Sequence, residues 1–233
     1  MSKIDTKRRP VIVRSGPERQ KNLLRTNIIL LISLLVLIFL MPVIPVEVPL
    51  LSRILLCLVV VSGLFAAEFS GPLLRILRYF AIVVVGVTVL GMFFYKSDSF
   101  TYLTFSLNSI FFVLITLALI THVAGSTNVS SSTLLCAVNS YLLIGLSLSM
   151  LFIILDLIVP NSFNLAGDEA NMFSTFVYYA FVTLTTLGYG DILPLTPLAR
   201  SLAAFTALFG QLYLVIIMAF LIGKFLNTKN QGS

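Results

Sequence analysis

Nine consecutive residues, Thr183-Leu184-Thr185-Thr186-Leu187-Gly188-Tyr189-Gly190-Asp191, are the part of the chain whose types and spacing suggest chemistry. Glycines at every second position allow a backbone that alternates between right- and left-handed regions. The left-handed region costs roughly 1–2 kcal/mol for most residues and little for glycine. Such alternation turns successive carbonyl oxygens to one side, as a ladder of hard ligands for a cation that has shed its water. The chemistry is coordination and passage rather than bond making. No nucleophile–base pair, phosphate-binding glycine loop or metal-ligand cluster stands elsewhere in the sequence, so an enzyme is not expected.

The run resembles the selectivity filter of potassium channels, usually Thr-Val-Gly-Tyr-Gly, with Leu187 in place of valine. The resemblance covers residues from about 133 to 226 and is continuous from Tyr178 to Gly210. It implies that the carbonyls of Thr186, Leu187, Gly188 and Tyr189 bind K+, that the Thr186 hydroxyl closes the inner end, and that Gly190 completes the filter. Thr185 and Asp191 become filter supports. Tyr178 and Tyr179 stand where many members have two tryptophans, and by analogy Tyr178 pairs with Asp191 and Tyr179 with Tyr189. Val182 occupies a place that is glutamate in some members. One loop supplies one side of a cage and the chain holds one copy of the motif, so a homotetramer is expected to close the ring. Permeant K+ is the only small partner implied; no cofactor is.

Such a loop must be held at membrane depth, and the composition provides for that. The chain is 58% hydrophobic and only 10% charged, far below the roughly 25% of soluble domains. Six apolar segments, residues 24–41, 50–68, 73–95, 100–123, 133–159 and 198–226, approach the length needed to cross about 30 Å of hydrocarbon as helix. Residues 173–185 read as a short helix that enters the membrane and returns as extended filter, its C-terminal end aimed at the pore. The expected fold is therefore an all-α integral membrane protein: six spans, with a re-entrant pore helix and filter between the fifth and sixth. Its parts are a basic tail (1–25), a four-helix membrane domain (26–125), a pore domain (133–226) and a short C-terminal tail (227–233).

Charge sets the orientation. Eight lysines and arginines lie in the first 25 residues, where Pro10, Gly16 and Pro17 argue against one continuous helix. With both termini cytoplasmic, twelve of the fifteen basic residues fall inside, leaving Arg53, Lys96 and Arg200 outside. The filter then faces outward, as the family requires. A plasma-membrane, multi-pass protein follows. The net charge of +6 reflects the tail, which suits anionic lipid and does not indicate a nucleic-acid-binding surface.

The fourth segment contains no lysine or arginine, whereas a voltage sensor needs several, since one charge crossing 100 mV contributes only about 2.3 kcal/mol. Arg75 and Arg78 are explained by topology. His122 reads as an interfacial histidine, Glu68 as a possible partner of Arg75 or Arg78, and Asp168 and Glu169 as either helix caps or cation attractors. Cys57 and Cys136 read as small core residues. Gly210 is a candidate gating hinge or a close-packing position, and Gln211 lines a water-filled cavity or bonds a neighbouring helix. The sequence thus points to a potassium-selective channel without strong voltage dependence. The alternatives are a nonselective cation channel and an ion-translocating or sensor subunit that needs a partner.

Overall fold

A computed structural model describes residues 17–40, 43, 49–67, 72–93, 97–126, 130–165 and 172–230. Most of the basic tail, Glu68, Asp168 and Glu169 lie outside the described residues. The named elements among the described residues are all helices: α1 (Pro17–Leu35), extended by a π-helical turn (Val36–Leu40), α2 (Pro49–Ala66), α3 (Pro72–Phe93), α4 (Asp98–Gly125), α5 (Ser131–Ile158), α6 (Met172–Leu184) and α7 (Pro197–Asn230). Two expected boundaries move. Residues 17–25 of the tail are helical, because Pro17 suits a first helical position and Glu18 favours the helix N-terminus. At the other end α7 continues to Asn230, so most of the expected C-terminal tail prolongs that helix.

Among the described residues, five helices are long and apolar enough to cross a membrane: Gln20–Leu40, Arg75–Phe93, Ser99–Gly125, Ser131–Ile158 and Pro197–Lys224. The apolar part of α2, Leu51–Ala66, is shorter. At 18 residues α2 reaches about 27 Å, just under the hydrocarbon thickness. Helix α6, with 13 residues, is too short to cross and ends inside the protein.

Helix α5 is the centre of the molecule. It carries seventeen buried residues from Ser132 to Leu155, while Leu134, Val138, Leu151 and Ile158 stay exposed. It packs on α1, α4, α6 and α7, and the contact with α4 is the most extensive. The two helices run antiparallel, with α4 ending at Gly125 and α5 starting at Ser131, where Ser130 caps the new helix by accepting from the Thr133 amide at 3.3 Å. Hydroxyls along the helices satisfy themselves by donating one turn back, as in Thr88 to Val84 O (2.7 Å), Ser140 to Cys136 O (2.7 Å) and Ser147 to Leu143 O (2.8 Å).

Two buried polar joints set how the helices meet. Between α1 and α5, Asn139 donates to the Asn27 backbone oxygen (3.0 Å) and side-chain oxygen (3.2 Å), and the Cys136 thiol donates to the same side-chain oxygen at 3.4 Å. Between α3 and α4, Asn108 donates to the Thr88 hydroxyl at 3.0 Å. Arg53 is buried against Gly91 of α3, where a side chain would collide with its guanidinium. Neither Cys57 nor Cys136 is in a disulfide. Asn139→Ala would leave two acceptors on Asn27 without their amide donor. It should lower stability by about 1–3 kcal/mol, read as an earlier thermal unfolding transition in detergent; an unshifted transition would show that the joint contributes nothing.

Candidate functional site: the loop between α6 and α7

Helix α6 is apolar enough to bury on most sides, and Phe176, Val177, Ala180 and Leu184 are almost fully enclosed. It is clamped between α5 and α7 at two glycines. A Cβ on Gly145 of α5 would come within 2.6 Å of Phe181 Cε1, and one on Gly210 of α7 within 2.9 Å of Leu184 Cδ1 and 3.0 Å of the Leu184 carbonyl carbon. Gly210 is therefore a close-packing position against the end of α6. Both glycines let helix backbones approach in surroundings where the hydrophobic effect no longer separates helix from lipid.

A helix C-terminus leaves four carbonyls without intrahelical donors. Here all four find partners. Phe181 O accepts from the Thr185 amide (3.0 Å) and Thr185 hydroxyl (2.7 Å). Val182 O accepts from the amides of Leu187 (3.0 Å) and Gly188 (3.3 Å), and Thr183 O from Thr186 (3.0 Å). Leu184 O accepts from the Tyr141 hydroxyl of α5 at 3.4 Å. The loop is folded back onto the helix that precedes it.

The backbone then alternates. Thr186 (φ 60°), Gly188 (φ 57°) and Gly190 (φ 79°) are left-handed, and Leu187 and Tyr189 between them are not. The glycines were expected there; Thr186 is the addition. A β-branched residue at positive φ is an outlier that persists only when its surroundings over-determine it. The amides of Thr186 and of the next two residues are bonded to α6, which supplies that constraint.

The outer mouth is braced from two sides. The Tyr178 hydroxyl donates to Asp191 Oδ2 at 2.6 Å, the pairing expected by analogy. That bond holds the Asp191 carboxyl below the usual carboxylate range. Tyr179 does not reach Tyr189 within the chain. It is buried in an aromatic cluster, 4.9 Å from Phe152 and 5.3 Å from Phe163 between ring centres, with Thr183 as its hydrogen-bond neighbour. The cause is register: Tyr178 and Tyr179 point to different sides of α6, and the Tyr179 side faces α5. Beyond the loop, Leu193 and Asn164 exchange bonds, Phe163 bridges Pro194, and Leu195 N donates to Ser162 O at 2.8 Å. The Thr196 hydroxyl accepts from the Ala199 amide at 3.3 Å and starts α7.

Tyr141, Gly145, Ser162, Asn164 and Thr196 were not singled out from the sequence. Only Gly145, a glycine inside a long apolar helix, carried a local signal. Residues 185–190 are all exposed in the single chain, and Leu187 and Tyr189 border a groove of about 630 Å3 together with Ile38 and Phe39. Gln211 is exposed too, so it does not serve as a buried bond to a neighbouring helix of its own chain.

Residues 140–227 match a family model described as ion channel. The match likens this segment, under half of the chain, to ion channels. The channel segment takes in most of α5, all of α6 and the loop, and α7 nearly to its end. Together with the five long apolar helices it supports a multi-pass membrane channel rather than an enzyme. No curated protein and no solved structure matches the chain.

Two outcomes follow from this geometry. Tyr178→Phe should return the Asp191 carboxyl toward its ordinary value of about 3.9, read as the pH midpoint of a labelled carboxylate signal. Because the bond lowers the pKa, its contribution is complete above that ordinary value and is lost as pH falls through the lowered one; the variant should lose this acid dependence, and an unmoved midpoint would refute the assignment. Gly210→Ala should destabilise the protein by about 1–3 kcal/mol by driving Cβ into the Leu184 backbone. A variant of unchanged melting temperature would argue against the packing role.

Proposed function

We propose that the protein is a potassium-selective channel in which four copies surround one pore and K+ passes down its electrochemical gradient. The observation that carries this reading is the left-handed, right-handed alternation from Thr186 to Gly190 at the end of a short helix. The channel-type match over the same residues supports it. In this reading the carbonyls of Thr186, Leu187, Gly188 and Tyr189 replace the hydration shell of K+, and the Thr186 hydroxyl closes the inner end. Asp191 at the mouth adds a negative potential that gathers cations.

One chain presents the loop as an exposed wall, with Tyr189 68% and Leu187 54% exposed. Apolar side chains left open beside the site are the surface that neighbouring copies would cover. Ring closure about a fourfold axis brings four such walls face to face. With no lysine or arginine on α4, conduction carries little voltage dependence of the gating-charge type. Cytoplasmic termini, a plasma-membrane location and a lipid-binding basic tail belong to the same proposal.

The test is flux through purified protein in liposomes under potassium or sodium gradients. Potassium flux well above sodium flux is expected, and Gly188→Ala should abolish the difference, since φ 57° strains any residue with a Cβ. Cross-linking should give a ladder ending at four copies of the 25.6 kDa chain. Equal sodium flux would favour a nonselective cation channel, and a ladder ending at two would remove the fourfold ring.

A further inference from the structure

The inner end of α7 is fastened to the end of α4 by one side chain. Lys224 Nζ donates to the backbone oxygens of Val123 and Ala124, both at 3.0 Å, and lies 3.2 Å from the Ser126 hydroxyl. The Ser126 carbonyl is a fourth partner, and the ammonium stands 4.1 Å over the Phe220 ring. These oxygens belong to the last turn of α4 and the residue that follows it. There the helix has carbonyls without intrahelical donors and the negative end of its dipole. An ammonium with three donors answers both needs from a different helix.

The same stretch of α7 is pulled two ways. Ile217, Phe220 and Leu221 pack on the main core. Leu214, Val215, Met218, Ile222 and Leu226 are exposed in the single chain. In the proposed ring of four, those turned toward a water-filled pore and not toward lipid would gain by burial against the α7 of another copy.

We propose that Lys224 is a tether that fixes the inner end of α7 to α4 and holds it off the apolar contact that four α7 ends would otherwise make, keeping the inner mouth of the pore conducting. This rests on the tetrameric channel reading above. The tether makes the position of the pore-lining helix depend on the end of α4, so anything that moves α4 at the inner membrane face acts on conduction through one residue.

Lys224→Met keeps the bulk of the stem and removes the donors. In liposomes it should lower potassium flux by roughly tenfold, the scale of a charge-assisted hydrogen bond, with the potassium-to-sodium ratio unchanged. Lys224→Arg, which retains donors, should keep most of the flux. Unchanged or increased flux in the methionine variant would overturn the proposal. A second readout does not depend on conduction: Ile222→Cys, placed in a chain with Cys57→Ala and Cys136→Ala, should form disulfide-linked pairs of chains on oxidation more readily when Lys224→Met is present. Equal cross-linking with and without Lys224 would also overturn it. A wild-type protein that passes no potassium would count against the channel reading instead, while the cross-linking would still report whether Lys224 holds the helix ends apart.

Discussion

At the end of α6 the chain must reverse without leaving any polar backbone group bare in apolar surroundings. Each unpaired group there would cost several kcal/mol, and water is not at hand to repay it. The solution is to let the loop's own amides serve the helix. Val182 O takes two of them, and Phe181 O and Thr183 O take one each. This single act of closure fixes where the loop begins, forces Thr186 into a left-handed conformation, and sets the phase of the alternation through Gly188 and Gly190. The remaining helices serve to hold α6 where that closure occurs.

Support reaches the loop along several independent lines. Tyr178 braces its outer end through Asp191, and Tyr141 bonds the last carbonyl of α6. Gly145 and Gly210 let α5 and α7 press directly on the helix. The aromatic cluster of Phe152, Phe163, Phe176 and Tyr179 fills the space beneath the outer mouth, with edge-on ring contacts between 4.9 and 5.7 Å. Rings met edge to face resist sliding more than aliphatic contacts do, which suits a place where a loop must keep its shape.

Much of this was legible in the sequence, for definite reasons. Long apolar runs broken by prolines mark helices whatever their neighbours, and α2, α3 and α7 begin at Pro49, Pro72 and Pro197. The left-handed turns at Gly188 and Gly190 were legible because glycine adopts that conformation at little cost. What could not be read depended on facing. Tyr178 bonds Asp191 as the resemblance implied, but the turn of Tyr179 toward Phe152 and Phe163 is decided only by the packing of α6. Gly210 could serve bending or close approach until Leu184 was found against it. The burial of Arg53 against Gly91 joins residues far apart in the chain and has no local signal. The antiparallel pairing of Phe163 with Pro194 likewise has no local signature.

The hairpin of α4 and α5 has a consequence for inheritance of defects. Because α5 packs along its own chain's α4, and Lys224 ties α7 to that same α4, each chain carries its peripheral helices on its own pore helices. In the proposed tetramer, copies of this fold would then meet as finished units. In a mixed assembly of normal and altered chains, damage to one α4 is therefore felt first by the α7 of the chain that bears it, so its effect should scale with the number of altered chains rather than spread crosswise between neighbours.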